Sequence, residues 1–160
     1  MVTIFADMGI EQQIKAKFKS EHHKAIVNIR FTSNWISAYH NKQLNTFDLT
    51  LPQFNILRIL RGAGEQLSVK VVKERMLEKS PNTTRLIDKL INKKMVRRSR
   101  CKDDRRIVYI EITSSGLSTL EKIDAVFDDI NLEGTLSESE VVKLNELLDK
   151  IRGDHDNTVE

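Results

Sequence analysis

The stretch KDDRRIVYIEIT, Lys102 to Thr113, decides the fold. Val108, Ile110 and Ile112 share one side of an extended chain by period-two alternation, the pattern of a half-buried strand. Four charged residues follow Lys102 and precede that strand, and VRRSRC, Val96 to Cys101, reads as a strand before it. The two form a hairpin with arginines at its tip. Solvated tips carry charge without explanation, so the neighbours must decide whether these arginines act.

Upstream, SPNTTRLIDKLINKKMV reads as a helix with Ser80 as cap and Pro81 in its first position, where a missing N–H costs nothing. Leu86, Ile87, Leu90 and Ile91 face inward. Asn82, Arg85, Lys89 and Lys93 follow at steps of three, four and four, so they fall in one narrow outward sector. Before it, LSVKVVKERM is a short helix capped by Ser68 with a stripe of Val69, Val72 and Met76. Helix, tight connection, helix and hairpin is the order of a winged helix-turn-helix. In that arrangement the second helix enters the major groove of DNA and presents donors to base edges and phosphates. A short basic loop beside it can reach the neighbouring minor groove, where negative potential is concentrated. Asp103 and Asp104 then read as positioning groups, orienting an arginine or pairing with Arg98 or Arg100 across the hairpin.

Charge agrees. From Lys70 to Arg106 there are 14 Lys+Arg against 5 Asp+Glu, and from Leu117 to Glu160 there are 4 against 12. A segregated basic region is the footprint of a polyanion binder.

The flanks read as long helices. Ile14, Phe18, Ala25, Ile29, Ile36 and Tyr39 predict one helix over roughly 10–44. Thr50, Pro52 and the stripe Phe54, Leu57, Leu60 predict the next, ended by Gly62 and Gly64. Leu117, Leu120, Ile123, Phe127 and Ile130 predict a helix broken at Gly134. In the last, Ser137 and Glu140 form a capping box, Leu136 and Val141 a staple, and Val141, Leu144, Leu148 and Ile151 a stripe. The expected fold is mainly α with a small two- or three-stranded β wing, in three regions: 1–48 and 114–160 for dimerisation, 49–113 for DNA binding.

These features resemble the multiple-antibiotic-resistance regulator (MarR) family of winged-helix transcription factors. The resemblance rests on Asp104-Arg105-Arg106, IVYIEIT and Thr113-Ser114-Ser115-Gly116, with Thr84-Arg85 and KKMVRR, Lys93 to Arg98. It implies a homodimer on a pseudo-palindromic double-stranded operator, often released by a small aromatic or anionic effector. The candidate reading residues are Ser80, Asn82, Thr83, Thr84, Arg85, Lys89 and Lys93, and those of the wing are Arg98, Lys102, Asp104, Arg105 and Arg106. Trp35 and Tyr39 are candidates to border an effector cavity. Members of the family usually carry Gly where this chain has Lys94; a side chain there in a left-handed turn costs about 1 kcal/mol, or the turn is built differently.

Other classes fit less well. Six glycines and two prolines leave little room for long loops. No phosphate loop, nucleophile elbow or triad spacing supports an enzyme or a cofactor. His22 and His23 point about 100° apart on a helix and cannot chelate one metal ion. The lone Cys101 excludes an internal disulfide, and no leader or membrane span is read, so a cytoplasmic protein is expected. The alternatives are a dimeric protein-interaction module without DNA binding, and a redox- or metal-sensing regulator on the same scaffold.

Overall fold

A computed structural model describes residues 8–77, 82–101, 104, 106–127 and 135–156, the last three of these as backbone alone. Ser80, Pro81, Lys102, Asp103, Arg105 and Ile130 lie outside the described residues. The chain forms two compact units, Met1–Phe127 and Asp128–Glu160.

In the first unit the expected long N-terminal helix is two helices, α1 (Ile10–Gln13) and α2 (Glu21–Leu44). Lys15 takes φ 52° between them, and the Ser20 hydroxyl accepts the His23 N–H at 3.2 Å to start α2. Lys15 and Lys19, four residues apart, would put like charge on one helix face, which opposes a continuous helix. Ile14 and Phe18 therefore leave the expected stripe. A single 3₁₀ turn, Asn45–Phe47, leads to α3 (Leu51–Ala63). Asn41 fixes that corner by accepting the Leu51 N–H at 2.9 Å, while buried Gln53 accepts the Thr50 N–H at 3.1 Å. Gly64 ends α3 at φ 67°, where glycine carries no penalty.

β1 (Leu67–Ser68), α4 (Val69–Arg75) and α5 (Thr83–Asn92) follow. Then come β2 (Val96–Arg100), β3 (Val108–Ile112) and α6 (Ser114–Asp124). The sheet is antiparallel in the order β1-β3-β2, with Val96 opposite Ile112, Arg98 opposite Ile110 and Leu67 opposite Ile110 on the other edge. β1 is too short for periodicity to reveal. Phe54, Leu57 and Leu60 from α3, Val72 from α4, Ile87 and Leu90 from α5, Ile110 from β3, and Leu120 and Ile123 from α6 share one core. Burying each such side chain stabilises by about 1.5–3 kcal/mol, which locks these elements onto one scaffold.

α5 begins at Thr83 with Asn82 as cap, later than the expected start at Ser80. It ends in a Schellman motif. The Lys94 N–H donates to the Ile91 carbonyl at 2.8 Å and the Met95 N–H to that of Leu90 at 3.0 Å, with Lys94 at φ 60°. Lys94 thus takes the left-handed place that suits glycine. α6 stops at Asp124, short of the expected extension to Ile130. A carboxylate opposes the negative end of a helix dipole, and Arg61 of α3 holds Asp124 at 2.5 Å. The chain then turns Phe127 against Phe54 and His40, each ring 5.1 Å away.

The second unit contains α7 (Glu138–Asp156). The capping box forms: the Ser137 N–H donates to Glu140 Oε2 at 2.8 Å, and the Glu140 N–H to Ser137 Oγ at 3.4 Å. Hydrogen bonds from the Ser137 side chain and backbone hold the Glu140 carboxyl below its ordinary value. Leu144, Leu147 and Ile151 are exposed on this helix.

Candidate nucleic-acid interface

Thr84, Arg85 and Lys89 are exposed on α5, and Asn82 is exposed at its cap. Asn82, Arg85 and Lys89 of the spaced set are thus exposed, with Thr84 beside them. Two expected members differ. Thr83 is 1% exposed, its hydroxyl 3.7 Å from the Met76 sulfur, because the first turn of α5 must cover the end of α4. Lys93 has left the helix as its C-cap. Its ammonium pairs with the Asp48 carboxylate at 2.9 Å and also donates to the Asp48 carbonyl, so it turns toward the corner between α2 and α3.

The wing strand β2 is cationic and solvent-facing after Val96. Its three arginines differ in their surroundings. Arg97 pairs with Glu111 directly opposite on β3 at 2.7 Å. Arg98 reaches Asp88 of α5 at 2.5 Å rather than pairing with Asp104. Arg100 is exposed and has no ion pair among the described residues. Asp104 works at the tip through backbone. Its Oδ1 accepts the Arg106 N–H at 2.9 Å and its carbonyl accepts the Ile107 N–H at 3.0 Å, an Asx-type turn that presents Arg106 exposed. The expected positioning role thus falls on a backbone N–H instead of a first-strand guanidinium.

Several residues shape this surface in ways that were not read from the sequence. Asp88 and Asp48 hold Arg98 and Lys93 across ten and 45 residues of chain, a long-range pairing with no local signal. Thr113 caps α6, and its hydroxyl donates to the Lys94 carbonyl at 2.7 Å. Lys70, Lys73 and Arg75 of α4 are also exposed, and the first helix of such a pair commonly crosses the DNA backbone. Elsewhere, Trp35 is 52% exposed and stacks on Tyr39 with centroids 6.1 Å apart. His22 and His23 are exposed at the start of α2. Among the described residues no helix is long and apolar enough to cross a membrane.

A helix pair joined to a cationic three-stranded wing, with basic side chains exposed on both, defines a winged helix-turn-helix protein of the DNA-reading class. Residues 49–108, from just before α3 to the start of β3, match the MarR family. The HTH-type transcriptional regulator MgrA of Staphylococcus aureus is 30% identical over 122 residues, covering 76% of this chain and 82% of MgrA. The backbone is similar to a MarR-like regulator from Bacillus cereus, with a TM-score of 0.75 at 21% identity, covering 84% of this chain and 97% of that one. It is also similar to Escherichia coli MarR C80S complexed with operator DNA, with a TM-score of 0.73 at 25% identity, covering 85% and 99%. The chain belongs to the MarR family of transcriptional regulators, a family of DNA-binding proteins rather than enzymes.

Proposed function

We propose that the protein is a cytoplasmic, homodimeric regulator that reads a pseudo-palindromic operator, with α5 in the major groove and the wing in the minor groove. The observation that carries this reading is the union of two cationic elements. Thr84, Arg85 and Lys89 are exposed on α5, while Arg98 of the wing is anchored to Asp88 of the same helix. Arg85 in the first turn reaches a base edge, Lys89 a phosphate, and Arg106 the narrow minor groove. Lys70, Lys73 and Arg75 add phosphate contacts from α4.

A second copy supplies the symmetry. Ile26 at 51%, Trp35 at 52% and Leu147 at 48% exposure are apolar groups that a monomer leaves in water. Apolar groups of this kind on α2, and separately on α7, favour cover by a second copy, for which a stable homodimer buries at least about 2,000 Å². An aromatic carboxylate stacked near Trp35 and Tyr39 would release DNA, to the extent of its differential affinity for the two spacings of the α5 pair. Footprinting on the DNA upstream of the protein's own gene tests the reading, with light scattering in parallel. The expected result is a dimer protecting two symmetric sites about one helical turn apart. A monomer, or a single unsymmetrical protection, contradicts it.

A further inference from the structure

Lys94 occupies a left-handed turn at φ 60°, and what holds it there comes from the far end of the wing. The Thr113 hydroxyl donates to the Lys94 carbonyl at 2.7 Å, and the Thr113 N–H donates to the Met95 carbonyl at 3.0 Å. Both carbonyls that leave the turn therefore end on one residue. The same hydroxyl oxygen accepts the Gly116 N–H at 3.2 Å and so starts α6. A Cβ on Gly116 would stand 2.4 Å from the Met95 oxygen and 2.7 Å from Ile112 Cγ1, so α6 enters hard against this joint. Thr113 ties together the end of α5, the end of β3 and the start of α6. It lies at the opposite end of α5 from Arg85, and is itself no part of the cationic face.

The joint has leverage. Arg106 stands in the turn seven residues before Thr113, beyond β3, and at most about 23 Å away for an extended chain, so a rotation of about 10° at the joint moves the tip by up to about 4 Å. That is more than a hydrogen bond can stretch. We infer that Thr113 is a positioning residue for DNA reading. Its hydroxyl clamps the strained turn at Lys94 and thereby sets the angle between recognition helix and wing, so that both address the operator at once. The inference rests on the proposed reading of DNA by α5 and the wing.

The test compares full-length wild type, T113V, T113S and the double variant T113V/K94G by anisotropy on operator and random duplexes of equal length. Salt titrations and thermal melting accompany each protein. T113V should lose about tenfold in operator affinity while random-duplex affinity and salt slope stay within about twofold, because phosphate contacts remain and register is lost. T113S should restore operator affinity to within about threefold, since it keeps the hydroxyl. K94G in the T113V background should recover most of the loss, because glycine holds the left-handed turn without a clamp. If T113V does not fold, T113C, of similar bulk with a weak donor, should show the same selective loss. Equal losses on both duplexes, unchanged operator binding by T113V, or failure of serine to restore it overturns the inference. A wild type without preference for the operator overturns the proposed function, and this inference with it.

Discussion

Asp88 on α5 and Arg98 on β2 are joined directly, Oδ1 to Nη2 at 2.5 Å, with both side chains partly exposed. An ion pair so placed contributes at most about 1 kcal/mol to stability. Its consequence is geometric: α5 and the hairpin keep a fixed relation, which the proposed reading of adjacent grooves requires. Asp88→Ala should weaken operator binding, although removing a negative charge near DNA ordinarily strengthens attachment. Anisotropy on the operator reads the sign, and tighter binding by Asp88→Ala would mean the pair holds nothing of importance.

Arg85 and Lys89 should differ in kind. Arg85→Ala should weaken operator binding by roughly 1–3 kcal/mol and relax preference at one position per half-site. Lys89→Ala should weaken all duplexes alike and reduce the salt slope by about one unit per subunit. Binding to a library of single-base operator variants separates the two.

At the wing tip, Asp104→Ala should also weaken binding, because the Arg106 N–H loses the acceptor that shapes the turn. Arg106→Ala should cost on the order of 1–3 kcal/mol, and less where narrow A·T flanks are replaced by G·C. Competition binding with the two flank types measures this. An effect of Arg106→Ala that ignores the flanks would place the residue outside the minor groove.

The turn after α5 gives a stability prediction of both signs. Lys94→Gly should stabilise by about 0.5–1 kcal/mol, since the side chain now sits at positive φ. Gly116→Ala should destabilise by about 1–3 kcal/mol, since its Cβ meets the Met95 carbonyl, which the sheet cannot easily move. Urea denaturation reads both.

What was legible in the sequence was whatever depends on neighbours three or four residues away. The caps at Ser68 and Ser137, and the stripes that bury Val72, Leu90 and Ile123, needed no tertiary information. The outward face of α5 was legible as far as the helix lasts. It failed at Lys93, where the helix has ended, and at Thr83, where the end of α4 covers the first turn. The break before α2 was missed because apolar spacing continues through a segment whose lysines oppose it. Asp48 with Lys93 and Asp88 with Arg98 were illegible for a different reason: charge pairs between distant elements leave no period in the chain.

The most direct measurement is the salt dependence of wild-type binding to duplex DNA. With at least two phosphates neutralised per subunit of a dimer, log K should fall against log salt with a slope steeper than about −3, and operator should exceed random duplex throughout. A flat dependence, or no binding at low salt, would contradict a cationic helix-and-wing surface that reads DNA.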